Sequence, residues 1–215
     1  MPHPLENCLL TFYSLYSGLH VSALASFRSR IAPIARPVRT GLGGWGRARR
    51  RARYFRDGIE GIAMELRTTT HAHSAILREF GATIGEHLSV GGPIHLVNAD
   101  GDFRRLHIGN HVHLGADILI DLADDVWIGD HATLSMRSSL VTHLDVGQGP
   151  LRERRPRQQG PVRIEAGAYL GIGATVLHGV TVGAAATVGA HALVDRDVAP
   201  GATVLAPRAR VVSTD

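Results

Sequence analysis

Residues 162–198 read VRIEAGAYLGIGATVLHGVTVGAAATVGAHALVDRDV and carry a six-residue repeat without a slip. One track of the repeat holds only large aliphatic residues: Ile164, Leu170, Val176, Val182, Val188 and Val194. Two positions before each of them lies a smaller apolar residue: Val162, Ala168, Ala174, Val180, Ala186 and Ala192. A period of six is neither the period of a helix nor that of a simple strand. It indicates three short strands per coil, joined by corners, with successive coils stacked around one apolar core.

The same period occurs upstream, with interruptions. Its aliphatic track consists of Ile84, Val90, Ile108, Leu114, Ile120, Ile128, Leu134 and Leu140, with two extra residues inserted at 123–125. Residues 97–105 and 145–161 do not fit the period, so we predict that they are loops leaving the coil. Long loops in a compact domain are usually functional, and we expect these two to hold the substrate.

Residues 1–70 differ from the rest in charge and pattern. They carry eleven arginines against four acidic residues, whereas residues 71–215 carry twelve against fifteen, and the chain has no lysine. Apolar residues at helical spacing predict a basic, mainly helical segment over 1–70, followed by the β domain over 71–215. Asp57 is predicted to cap a short helix that buries Ile59, Ile62, Ala63 and Leu66. No aromatic platform accompanies the arginines of 47–53, so we expect a solvated helix face and no nucleic-acid partner.

The N-terminal composition also bears on location. Residues 8–27 lack charged side chains, but polar residues dilute them, which favours a packed or interfacial helix over a membrane span. Cys8 is the single cysteine, so no disulfide framework is expected. No basic stretch precedes the apolar one, so no secretory signal is predicted and a cytoplasmic location is expected.

From about residue 84 to 212 the chain resembles the hexapeptide-repeat acyltransferases. Thr142-His143-Leu144-Asp145 resembles the Thr-His-x-x-Asp segment of that family, and residues 176–183, VLHGVTVG, resemble its Ile-Leu-Pro-Gly-Val-Thr-Ile-Gly. Residues 194–198, VDRDV, are similar to its Val-Thr-Lys-Asp-Val. The resemblance implies an all-β fold, a left-handed parallel β-helix, here with an N-terminal helical extension. It also implies transfer of an acetyl group from acetyl-coenzyme A to a hydroxyl of a sugar or sugar-containing acceptor.

His143 is the predicted catalytic residue. Acyl transfer to a hydroxyl needs a base that removes the hydroxyl proton, and histidine is suited to that task near neutral pH. The matching histidine of the family plays this role, and no covalent enzyme intermediate is implied. Asp145 is predicted either to orient His143 or bind a substrate hydroxyl, or else to cap the start of the loop. Asp121 and Asp124 lie one coil earlier and are expected to contact the substrate, unless they are simply solvated.

The family resemblance also implies a donor site. In the family the pantetheine arm lies in a groove between two β-helices, which implies a homotrimer. The residues of this chain that match the groove are Tyr169, Gly171, Ile172, Ala190, Asp195 and Arg196. Arg208 and Arg210 are expected to bind the phosphates of the donor through charged hydrogen bonds, the alternative being a solvated basic tail.

Two other functions remain open at this point. The first is N-acylation of an amino sugar with the same fold and donor. The second is a non-catalytic scaffold or a metal-dependent hydrolase, since β-helices similar to carbonic anhydrases bind zinc through three histidines. His107, His111 and His113 do not have the spacing of that zinc site, so no metal is expected.

Overall fold

The computed structural model describes the backbone of residues 21–212 and the side chains of residues 44–212. The predictions made for residues 8–20, including Cys8, lie outside this part of the chain. The chain divides into two compact units, with the boundary between Ala52 and Arg53. None of the helices in the described part is both long enough and apolar enough to cross a membrane.

Helical backbone occupies the N-terminal part of the described chain. Helix α1 is Val21–Leu66, with a non-helical residue at Gly58 (φ 65°, ψ −161°), and helix α2 is His73–Glu79. After Gly58, the last turns of α1 bury the set predicted from the sequence: Ile59, Ile62, Ala63 and Leu66. Asp57 is predicted to cap these turns, but its described hydrogen bonds are instead those accepted from the Arg56 guanidinium at 2.8 and 2.7 Å.

Short strands follow α2 to the end of the described chain. They are β1 Thr83–Ile84, β2 Ser89–Val90, β3 Ile94–Val97, β4 Leu106–Ile108, β5 His113–Leu114, β6 Ile118–Asp121, β7 Val126–Ile128, β8 Thr133–Leu134, β9 Ser139–Leu140, β10 His143–Leu144, β11 Gln158–Gln159, β12 Val162–Ile164, β13 Tyr169–Leu170, β14 Thr175–Val176, β15 Thr181–Val182, β16 Thr187–Val188, β17 Leu193–Val194 and β18 Thr203–Val204. A 3₁₀ turn, Pro150–Arg152, lies between β10 and β11.

These strands form a left-handed parallel β-helix with three sides, as the sequence predicts. Sheet A contains β1, β4, β7, β12 and β15; sheet B contains β2, β5, β8, β13, β16 and β18; sheet C contains β3, β6, β9, β14 and β17. Ile164, Leu170 and Val176 each pair with the aliphatic residue three hexapeptides later, as Ile164 does with Val182. A regular coil is therefore three hexapeptides, and every coil is joined to the next by parallel backbone hydrogen bonds.

The core is the stack of inward-facing residues of the repeat. The six aliphatic residues from Ile164 to Val194 are at most 5% exposed, and the smaller residues two positions before them are equally buried. The predicted track is therefore confirmed as the interior of the coil. Apolar burial contributes about 25 cal/mol per Å², and it recurs in every coil, so the stack supports the fold along its whole length.

Corner residues of successive coils also superpose. His87, His111 and His131 occupy the corner from sheet A to sheet B in three consecutive coils, all in the left-handed region with φ of 55–59°. Their rings stack, with centroids 4.7 Å apart for His87 and His111 and 5.0 Å apart for His111 and His131. A side chain at a given corner position therefore lies directly above its counterpart one coil away.

We predict that Gly115→Ala destabilises the β-helix. A Cβ atom at Gly115 would overlap the backbone nitrogen of Met136 and lie 2.8 Å from its Cα, so adjacent coils would have to move apart. Overpacking of this kind costs about 1–3 kcal/mol. Urea unfolding should show that loss in the free energy of unfolding. Gly149→Ala is the control, because no atom lies within 4 Å of its added Cβ. Equal stability of the two variants would contradict the close packing of the coils.

Candidate active site

His143 and Asp121 meet at the corner where the chain turns from sheet C to sheet A. Asp121 is the last residue of β6, and His143 follows the neighbouring strand β9 by three residues. Because β6 and β9 pair in parallel, their carboxyl ends lie side by side in consecutive coils. The His143 Nδ1 atom lies 2.5 Å from Asp121 Oδ2. The structure therefore brings together two residues that are far apart in the sequence.

Asp121 is buried and its carboxylate is fully hydrogen-bonded. Only 2% of the residue is exposed. Oδ1 accepts from Asn98 Nδ2 at 2.8 Å and from the Ala123 amide at 3.2 Å. Oδ2 accepts from the amides of Thr142 and His143 at 2.9 and 3.1 Å, in addition to Nδ1 of His143. Burial raises the pKa of the Asp121 carboxyl, but the hydrogen bonds from Asn98, His143, Ala123 and Thr142 outweigh it and leave the pKa below its ordinary value.

The ionised carboxylate determines how His143 is protonated. A carboxylate can only accept hydrogen bonds, so the short contact requires the proton of a neutral imidazole to be on Nδ1. Nε2 then carries the lone pair, and it has no hydrogen-bond partner among the described residues. The His143 side chain is 23% exposed. Its Nε2 atom is thus able to accept a proton from a molecule bound at this corner.

A hairpin covers the same corner. Strands β10 and β11 pair antiparallel, with His143 opposite Gln159, so the two side chains lie on the same face of the hairpin. Gln159 Nε2 donates to the Ala123 carbonyl at 3.0 Å and to Asp124 Oδ2 at 3.2 Å. Arg157 Nη2 donates to Gln159 Oε1 at 2.8 Å, and its Nη1 lies 3.7 Å from Asp145 Oδ2. Gln159 and Arg157 thereby connect the two predicted carboxylates, Asp124 and Asp145.

Asp145 has a local role in the structure. Its Oδ1 accepts from the Gly147 amide at 2.7 Å, which forms the turn at the start of the long loop. Asp145 forms no described hydrogen bond with His143, which Asp121 holds instead. The sequence placed Asp121 near the substrate and did not single it out as the partner of His143. The sequence did not identify three further polar residues of this corner: Asn98, Gln159 and Arg157. The one signal it offered for them was their position near the ends of the two predicted loops.

The predicted donor residues fall into three groups. Tyr169, Gly171, Ile172 and Ala190 lie where the chain turns from sheet B to sheet C, in two consecutive coils. A Cβ atom at Gly171 would lie 2.6 Å from the Ala190 nitrogen, so the backbones of these coils are in close contact there. Tyr169 and Ile172 are exposed on this corner.

The second group is on the other side of sheet C. Asp195 and Arg196 follow β17 at the corner that also carries His143, and Arg196 Nε lies 3.1 Å from Asp195 Oδ1. Both line a cavity of about 400 Å³ with residues 204–207. The third group, Arg208 and Arg210, is exposed and lies after β18, outside regular secondary structure. One chain therefore does not bring all eight predicted donor residues together.

A second cavity, of about 480 Å³, lies along sheet A. Trp127 borders it and is stacked between two side chains. The His107 ring centroid lies 5.2 Å from that of Trp127, and the Arg163 guanidinium lies 3.7 Å from the Trp127 centroid on the other side. His143 does not line it.

Within the described residues, no group of three or more His, Cys, Asp or Glu side chains is arranged to hold a metal ion.

Comparison with known proteins identifies relatives of the chain. No family model matches it. It is 38% identical over 137 residues to Nodulation protein L of Rhizobium meliloti (strain 1021), a match that covers 63% of this chain and 72% of that protein.

Solved structures share the fold. A hexapeptide-repeat-containing acetyltransferase from Vibrio cholerae O1 biovar eltor, complexed with acetyl-coenzyme A, superposes with a TM-score of 0.58 and 24% identity, over 71% of this chain and 82% of that one. A maltose O-acetyltransferase from Clostridium difficile 630 gives a TM-score of 0.59 and 20% identity, over 68% and 79%. From its repeat, its fold and its identity to Nodulation protein L, the chain belongs to the hexapeptide-repeat acetyltransferase family.

Proposed function

We propose that this protein is an O-acetyltransferase that moves an acetyl group from acetyl-coenzyme A to a hydroxyl of a sugar or sugar-containing acceptor, with His143 as general base. The observation that carries the proposal is the contact of 2.5 Å between His143 Nδ1 and the buried carboxylate of Asp121. It fixes the tautomer in which Nε2 is the free base.

The arrangement suits a direct transfer. Nε2 removes the proton of the acceptor hydroxyl as its oxygen attacks the thioester carbonyl, and the thiolate of coenzyme A leaves. The imidazolium formed in this step is stabilised by the adjacent Asp121 carboxylate and can return its proton to the thiolate. Asp121 itself keeps its charge throughout. The neighbouring Thr142 is fully buried, and its hydroxyl donates to the Asp121 carbonyl at 3.1 Å, so it is not presented as a nucleophile.

The polar groups around His143 suit a polyhydroxyl acceptor. Asp124, Gln159, Arg157 and Asp145 form a connected set of donors and acceptors beside the base. Sugar hydroxyls both donate and accept hydrogen bonds, so such a set can orient one hydroxyl towards Nε2. The maltose O-acetyltransferase among the proteins of this fold is in keeping with this acceptor class.

The donor is proposed to lie along sheet C. An acetyltransferase of this fold has been solved with acetyl-coenzyme A bound. The predicted donor residues of this chain occupy both corners that flank sheet C, and the family resemblance implies a donor groove between two β-helices. We therefore propose a homotrimer, with Arg208 and Arg210 at the phosphates of the donor.

His143→Ala is expected to lower kcat by about 10²–10⁴-fold, because the acceptor hydroxyl loses its base. The KM for acetyl-coenzyme A should change little. The measurement is release of free thiol with a panel of sugars, amino sugars and small alcohols. His71→Ala is the control, because His71 is exposed and lies outside the β-helix. Near wild-type turnover by a folded His143→Ala variant would exclude His143 as the base, and turnover with amino sugars alone would exclude O-acetylation.

Asp121 is expected to make the fold sensitive to acid. Its folded-state pKa lies below its ordinary value, so the ionised carboxylate stabilises the folded state at neutral pH. That contribution is lost as the pH falls through the folded-state pKa. The difference in the free energy of unfolding between wild type and Asp121→Asn should be smaller at about pH 3 than at about pH 6. Urea titrations over this range measure it, and a difference that grows on acidification would contradict the depressed pKa.

Replacing Arg208 and Arg210 together by alanine should raise the KM for acetyl-coenzyme A at least about tenfold, because hydrogen bonds between charged groups contribute roughly 1.5–3 kcal/mol each. The KM for the acceptor should move less. Arg47 and Arg49, also exposed, provide a control pair with the same change in net charge. If both pairs had the same effect on the donor KM, a specific phosphate contact at the C-terminal arginines would be ruled out.

A further inference from the structure

We infer that Asn98 is a positioning residue of the active site, which acts on His143 through Asp121. This inference rests on the proposed function. Asn98 donates a hydrogen bond of 2.8 Å from Nδ2 to Asp121 Oδ1, while His143 contacts the other oxygen, Oδ2. The three side chains come from three consecutive coils. They form a chain of hydrogen bonds from the Asn98 amide to the Asp121 carboxylate and on to the His143 imidazole.

The two oxygens of Asp121 are supported unequally. Oδ2 is held by three donors, two of which are backbone amides. Oδ1 has one side-chain donor, Asn98, and one backbone donor, Ala123, at the longer distance of 3.2 Å. Asn98 therefore donates the shorter of the two hydrogen bonds that hold Oδ1, and it restrains rotation of the carboxylate about its Cβ–Cγ bond together with the donors on Oδ2. If the carboxylate turned, Oδ2 would move away from Nδ1, and both the tautomer and the orientation of the His143 ring would be lost.

The electrostatic effect of Asn98 acts in the same direction. Among the hydrogen bonds that lower the pKa of Asp121, the bond from Asn98 is the largest contribution. Because Asn98 is neutral, it keeps Asp121 ionised without cancelling its negative charge, as an arginine in this place would. The charge remains to stabilise the imidazolium that forms during the reaction.

Asn98 is itself held in place by its backbone and its loop. Its φ of 57° is in the left-handed region, which asparagine adopts more readily than most residues. The Leu122 amide donates to the Val97 carbonyl at 2.8 Å, which fixes the chain on the N-terminal side of Asn98. On the other side the loop is anchored by Phe103, which is fully buried and donates its amide to the Phe80 carbonyl at 2.7 Å.

Helix α1 adds a further anchor to this loop. The Tyr54 hydroxyl donates to the Gly101 carbonyl at 2.9 Å, and the Tyr54 ring packs against Phe80 with centroids 5.5 Å apart. The loop over residues 97–105, which the sequence assigned to the substrate, thus supports the carboxylate that orients the base. Within this loop, Asn98 is the only residue with a described hydrogen bond to Asp121.

Asn98→Gly tests the inference, because glycine accepts the left-handed backbone while removing the amide. We expect kcat to fall about tenfold, since a hydrogen bond to a charged group is lost, with the KM for donor and acceptor within about twofold of wild type. Asn110→Gly is the matched control: Asn110 also donates its side-chain amide to a carboxylate, that of Asp130, but at the corner from sheet A to sheet B. Thermal unfolding of both variants measures the structural cost separately.

A double-mutant cycle distinguishes positioning through Asp121 from a general structural effect. In an Asp121→Ala background, Asn98→Gly should change kcat less than twofold, because the residue through which it acts is gone. A kcat of Asn98→Gly within twofold of wild type overturns the inference, and so does a loss equal to that of Asn110→Gly. These outcomes leave the proposed function intact if His143→Ala is inactive. An active His143→Ala variant overturns both.

Discussion

The register between coils is the constraint on which the structure depends. Each strand bonds to the strand one coil away, so every side must advance by the same number of residues for the aliphatic side chains to stay stacked. A slip by one residue would turn the whole track of side chains from the core to the solvent. The same register that builds the core also aligns the corners. It is the reason why Asn98, Asp121 and His143 meet, although each belongs to a different coil.

The proposed active site includes a buried negative charge, the carboxylate of Asp121. A carboxylate away from water is costly unless hydrogen bonds replace the lost hydration. Here neutral donors do so: three backbone amides, the amide of Asn98 and the Nδ1–H group of His143. An ion pair with arginine would also satisfy the carboxylate, but it would neutralise the field at the imidazole. The hydrogen bonds at this corner thus replace the lost hydration of the Asp121 carboxylate without cancelling its negative charge. The carboxylate can therefore both orient the imidazole and act on it electrostatically.

The sequence predicts the fold well and the site in part. The repeat from Ile164 to Val194 determines the coil because its five equal steps of six residues fit a three-sided stacking. His143 stands out because its segment resembles the family motif and adjoins a long loop. The choice of Asp121 over Asp145 as its partner could not be made, because it depends on the corner conformation after β6 and on two extra residues at 123–125. Asn98 gave no signal beyond an asparagine after a strand, a common feature of turns.

The hairpin over the active corner has a consequence for how such enzymes diversify. The chain leaves the coil after Val141 and rejoins it at Val162, and Val162 pairs with Val126 as if nothing had been inserted. The insertion therefore places no strain on the stack, and its length and composition are free to vary. His143 lies at its first strand, next to the coil that supplies Asp121, whereas Gln159 and Arg157 lie at its far end. Exchange between homologues of only the part that follows β10 would change the residues proposed to contact the acceptor and would leave His143 and Asp121 in place.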